Sequence, residues 1–96
     1  MDIDELLKVK REEILQIVAR HGACNVRIFG SAARGEARAD SDVDFLVELG
    51  PGSTLLGRAA MTRELESLLG RKVDVVSDKG LRERVRERVL EEAFPL

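Results

Sequence analysis

The apolar residues of this chain fall into blocks whose spacing switches between helical and extended. Leu7, Ile14, Ile17 and Val18 recur at helical intervals among charged residues. That pattern predicts an amphipathic helix capped by Asp4, running to about Arg20 and followed by Gly22. Asn25 to Phe29 is short, partly β-branched and stops at Gly30, the profile of a buried strand. Asp44 to Leu49 reads as a second strand, starting at about Val43 and broken by Pro51-Gly52. A helix beginning at Ser53 or Thr54 is expected to bury Leu56, Ala59, Ala60, Leu65, Leu68 and Leu69, and to stop at Gly70. Lys72 to Val76 alternates as a third strand, with Val73 and Val75 on one face and Asp74 and Val76 on the other. A last helix from about Leu81 carries Leu81, Val85, Val89 and Ala93 at fourfold spacing.

With a turn opening a short helix over Ser31 to about Ala37, the order is αβαβαβ. Helices packed on a small sheet of about three strands, an α/β (α+β) architecture, is the expected fold. At 96 residues the whole chain, 1–96, is expected to form one domain with a modest core, leaving no room for a separate substrate domain.

Charge narrows the function. The 16 basic and 18 acidic residues leave a net charge of −2, which argues against broad binding to a nucleic-acid backbone. With no Trp, no Tyr and three Phe, there is no aromatic platform for stacked bases. No signal peptide or long apolar run is present, so a cytoplasmic, non-membrane protein is expected. Cys24 has no partner for an internal disulfide and is expected to be a buried small hydrophobe.

Chemistry concentrates between Phe29 and Phe45. Asp42 and Asp44, two apart at the start of a strand, project to one face and set two carboxylates side by side. Like charges so close need arginines or a divalent cation, and hard oxygen ligands suit Mg²⁺. A solvated turn ahead of a strand explains the same pair without a metal. Gly30 lets the backbone approach a ligand, and Ser31 at the start of a helix aims its amide and hydroxyl at an anion. Strand-Gly-Ser-helix is also a common connection with no ligand. Asp74 is expected to be a buried carboxylate in an apolar strand, costly unless it ligates a cation or pairs with an arginine such as Arg27. If its strand neighbours the second, three carboxylates share a site suited to two metal ions and displacement at phosphorus. No Gly-Lys-Ser/Thr occurs, which excludes a P-loop NTPase.

Gly30-Ser31-x-Ala33-Arg34-Gly35, then Ser41-Asp42-x-Asp44, then Asp74, resembles the polymerase-β-like nucleotidyltransferases. More narrowly it resembles the minimal nucleotidyltransferase (MNT) family, over nearly the whole chain. The resemblance implies that Gly30 and Ser31 bind the β- and γ-phosphates of a nucleotide, with ATP as donor. It implies that Asp42, Asp44 and Asp74 ligate two Mg²⁺ ions, Asp74 also helping to activate the attacking hydroxyl. Arg34 matches an Arg common in the family's Ala-Arg-Gly segment, with a triphosphate or structural role; pairing to the neighbouring aspartates is the other reading.

The acceptor is not written in the residues. MNT proteins are commonly encoded with HEPN-domain toxins, so the resemblance implies an antitoxin that adenylylates a tyrosine of such a partner. An antitoxin that works by binding alone, and an aminoglycoside-type small-molecule transferase, are the alternatives. Elsewhere structural roles are expected. His21 complements a helix end. Arg82, Arg84, Arg86 and Arg88 form a solvated face with Glu83 and Glu87, or else Arg82 and Arg86 line a partner surface. Phe94-Pro95-Leu96 packs back on the domain or joins an interface.

Overall fold

The computed structural model describes residues 2–38 and 40–96. α1 (Ile3–Arg20) buries Ile3, Leu7, Ile14, Ile17 and Val18, the expected stripe extended by one turn. Its cap is Asp2, whose carboxylate accepts the Glu5 amide at 2.9 Å, and not Asp4. Asp4 lies inside the first turn, where its charge still complements the helix N-terminus. At the other end His21 is the cap residue and its ring meets Glu64 at 2.7 Å.

The sheet is mixed, in the order β3-β2-β1-β4. β1 (Ala23–Phe29) and β2 (Val43–Leu49) are antiparallel, and β2 and β3 (Val73–Ser77) are parallel. The fourth strand, β4 (Phe94–Pro95), was not expected: the apolar chain end folds back along β1, with the Leu96 amide donating to the Val26 carbonyl at 3.0 Å. Proline is tolerated there because β4 lies at the sheet's edge. Cys24 is exposed, not buried. The pairing register slips between Cys24 and Arg27, and Asn25 sits at φ 52, so the strand bulges outward at its start.

No short helix follows Ser31. Residues 31–35 form consecutive turns. Gly35, at φ 71, ends any helical path, and Ala32 is drawn into the core. α2 (Leu55–Leu69) supplies the crossover that a parallel pair requires. The Thr54 hydroxyl accepts the Gly57 amide at 3.0 Å, and Gly70, in the left-handed region at φ 65, ends the helix. Its buried stripe is Met61, Leu65 and Leu69; Leu56, Ala59 and Ala60 are exposed. The helix is apolar on several sides, and packing against α1 and β3 selects the side that faces the sheet.

After a single 3-10 turn (Asp78–Gly80), α3 (Glu83–Glu92) starts later than Leu81 and buries only Val89, leaving Val85 exposed. Val43, Phe45, Val47, Val73 and Val75 turn toward α1 and α2 and form the main core. Asp44, Leu46, Asp74 and Val76 therefore share the opposite face. Leu46 and Val89 are buried outside the main core, which places α3 over part of that second face. Among the described residues, no helix is long and apolar enough to cross a membrane.

Candidate active site

One rung of the sheet carries the site. Asp44 stands opposite Phe29 of β1 on one side and opposite Asp74 of β3 on the other. Asp42 precedes β2 by one residue. Asp44 is half-buried, whereas Asp42 and Asp74 are exposed. The expectation that Asp74 is buried is thus not met. β3 is an outer strand, and at Asp74 the face away from α1 and α2 is open to solvent.

Burial pushes the Asp44 carboxyl up to about 6, and repulsion from Asp74 and then Asp42 adds to it. The Arg34 charge opposes this only weakly. Both aspartates are close enough to be felt. Asp74 has no cationic partner within ion-pair distance among the described residues, so the pairing with Arg27 is not formed.

Gly30 has no substitute here. Its φ of 74 lies in the left-handed region, and a Cβ at this position would run into Asp44 Oδ2. The turn that follows is closed by the amides of Arg34, Gly35 and Glu36, which donate to the carbonyls of Gly30, Ala32 and Ser31 at 3.1, 3.4 and 2.9 Å. The amides of Ser31, Ala32 and Ala33 have no backbone partner among the described residues. A run of amides at such a turn suits an anion. It would do here the work expected of a helix N-terminus.

Arg34 does not pair with the aspartates. It donates from Nε to Glu36 and from Nη1 to Glu92, each at 3.1 Å, which ties the turn to the end of α3. The hydrogen bond to Glu36 leads the effects that raise its already high pKa. Glu36 and Glu92 were missed by sequence reasoning. Glu92 lies 58 residues away and no local pattern marks it.

Among the described residues, no three Asp, Glu, His or Cys side chains converge into a ready-made metal cage. The donor set still fits Mg²⁺, which is held by one or two carboxylates and takes its other ligands from water and phosphates. A half-buried carboxylate repelled by two neighbours gains from a divalent cation what it lacks from protein partners.

Comparison with known proteins decides the family. The model of the nucleotidyltransferase domain matches residues 11–96. The chain belongs to this family, and it is a nucleotidyltransferase. It is 36% identical over 91 residues to the protein adenylyltransferase MntA of Thermococcus cleftensis, covering 95% of this chain and 89% of that protein. A solved structure provisionally assigned as a minimal nucleotidyltransferase is 56% identical, with a TM-score of 0.89 over 100% of this chain and 97% of the other. A chain in the structure of a tri-AMPylated Shewanella oneidensis HEPN toxin in complex with MNT antitoxin shares the fold. Its TM-score is 0.71 at 17% identity, over 92% of this chain and 69% of that one. The small mixed sheet with helices packed on it is the minimal nucleotidyltransferase fold.

Proposed function

We propose that this nucleotidyltransferase moves AMP from ATP to a tyrosine hydroxyl of a HEPN-domain toxin, and so acts as that partner's antitoxin in the cytoplasm. The observation that carries the reading is the rung itself: Asp44 touches the space beside Gly30 and faces Asp74 across one strand pairing. A phosphate-binding turn and a pair of metal-binding carboxylates then adjoin, with a candidate base one strand further out. The names borne by the relatives supply the acceptor class.

In this reading the Gly30-Ser31 turn holds the β- and γ-phosphates through its amides and the Ser31 hydroxyl. Arg34, anchored beside the turn, extends that grip. Asp42 and Asp44, with Asp74 on the acceptor side, would hold two Mg²⁺ ions. When bound, these neutralise the charge that develops on the phosphoryl oxygens. The acceptor oxygen forms its bond to the α-phosphorus as the bond from that phosphorus to the pyrophosphate oxygen breaks. The hydroxyl proton passes to the Asp74 carboxylate, and pyrophosphate leaves. The rest of the acceleration comes from holding the reactants in line.

The test compares neutralisation of the HEPN partner's toxicity by wild type and by Asp42→Asn/Asp44→Asn, produced at equal levels. The wild type should protect and the variant should not. Equal protection by both would establish an antitoxin that works by binding alone.

A further inference from the structure

We infer that Arg58 and Glu66 are positioning residues, which clamp the outer edge of β3 on either side of Asp74 and hold that carboxylate opposite Asp44. The inference rests on the role given above to Asp74.

Among the described residues, β3 has a neighbouring strand on one side only. The Val43 amide donates to the Lys72 carbonyl at 2.9 Å, which sets the phase of the parallel ladder. Peptide groups alternate along a parallel strand, so Lys72, Asp74 and Val76 turn theirs toward β2. Val73 and Val75, which flank Asp74, turn theirs to the open edge. Both are caught by α2. The Val73 amide donates to Glu66 Oε2 at 3.1 Å. The Val75 carbonyl accepts from Arg58 Nε at 3.1 Å and from Nη2 at 2.6 Å.

The result is a residue held from both sides: its own peptide groups by β2, its neighbours' by one helix. The three bonds are part-buried, where loss of a partner strands a polar group. Arg58 donates two N–H groups to one oxygen, a charge-assisted contact that a lysine cannot reproduce. Neither side chain can reach substrate from this position, because α2 packs on the face of the sheet opposite Asp74. They act through the backbone of β3. A carboxylate on an edge strand gripped at one side only would wander, and displacements of about 1 Å cost roughly a hundredfold in rate.

The test measures AMP transfer to the HEPN partner, binding of Mg²⁺ with a non-hydrolysable ATP analogue, and melting temperature. Arg58→Met and Glu66→Leu should lower kcat by about tenfold. Nucleotide affinity should stay within about twofold of wild type, because the Gly30 turn and Asp42 lie on other elements. Glu66→Gln keeps an acceptor oxygen for the Val73 amide and should restore kcat. Arg58→Lys keeps one donor, should fold as wild type, and should lose kcat severalfold. Adding Asp74→Asn to Arg58→Met should cost much less than it does in the wild type, since the clamp then has nothing to hold. A lowered melting temperature with unchanged kcat, equal losses in affinity and kcat, or additive effects with Asp74→Asn would overturn the clamp. Full activity of Asp74→Asn alone would instead overturn the role of Asp74, and the clamp's catalytic purpose with it.

Discussion

The carboxylate of Asp44 fills the space that a side chain on Gly30 would need. Two residues 14 apart in sequence therefore depend on each other: the glycine admits the carboxylate, and the carboxylate forbids anything larger than glycine. Gly30→Ala must also hold φ 74, which costs an L-residue about 1–2 kcal/mol. The variant should remain folded with a lowered melting temperature, while AMP transfer falls by about a hundredfold as the carboxylate is displaced. Near-normal transfer by Gly30→Ala would mean that the packing of these two residues is incidental.

Asp44 also gives the protein a pH signature. Its carboxyl titrates at about 6 in the fold against an ordinary value of 3.8, so the folded state holds this proton more tightly than the unfolded chain does. The resulting contribution to stability is complete below about 3.8 and is lost as pH rises through about 6. Asp78, held low by its hydrogen bond to Arg86, has the opposite slope, so the effect must be isolated by difference. In metal-free buffer, Asp44→Asn should gain stability relative to wild type as pH is raised across this window. Mg²⁺ should narrow the gap by stabilising the ionised wild type. Parallel stability curves would show that Asp44 is not strained in this way.

Much of this fold can be read from the chain, and the exceptions have physical causes. α1 is legible because its apolar residues occupy one stripe and its other sides are charged. α2 is not, because Leu56, Ala59 and Ala60 compete with Met61, Leu65 and Leu69, and only the sheet decides between the two sets. The two-residue β4 is too short to leave a pattern, and the bulge at Asn25 that exposes Cys24 has no marker of its own. In the candidate site, the closeness of Asp42 to Asp44 is legible from their spacing, and the Asp42 charge is felt at Asp44 from one residue ahead of β2. The alignment of Asp44 with Asp74 is a matter of strand register, which the sequence does not display. Arg34 was visible as a motif residue, but its partners Glu36 and Glu92 follow from where α3 ends.

Arg34 offers a separable test of phosphate binding. Its two glutamate partners lie at an exposed surface, where such pairs contribute little to stability. Arg34→Gln should therefore leave the melting temperature unchanged while raising KM for ATP by about tenfold, the effect of losing a charged hydrogen bond. An unaltered KM would restrict Arg34 to tying the turn to α3.

Ligand binding itself should be visible as stability. Mg²⁺ together with a non-hydrolysable ATP analogue, at a hundred times its Kd, should stabilise the wild type by about 2.7 kcal/mol. Neither component alone should do as much, because the phosphates complete the metal's ligands and the metal neutralises the phosphates. Asp42→Asn/Asp44→Asn should show no joint effect in a thermal melt. A joint effect that survives in this variant would locate the nucleotide elsewhere.

The most direct measurement is transfer itself. Wild-type protein and Asp42→Asn/Asp44→Asn are each incubated with the HEPN partner, Mg²⁺ and ATP labelled at the α-phosphorus, and the label on the partner is quantified and mapped. Label is expected on a partner tyrosine with the wild type, matched by released pyrophosphate, and none with the variant. An unlabelled partner under conditions where the wild type binds it, or equal labelling by both proteins, would contradict the claim that Asp42 and Asp44, beside Gly30-Ser31, carry the reaction.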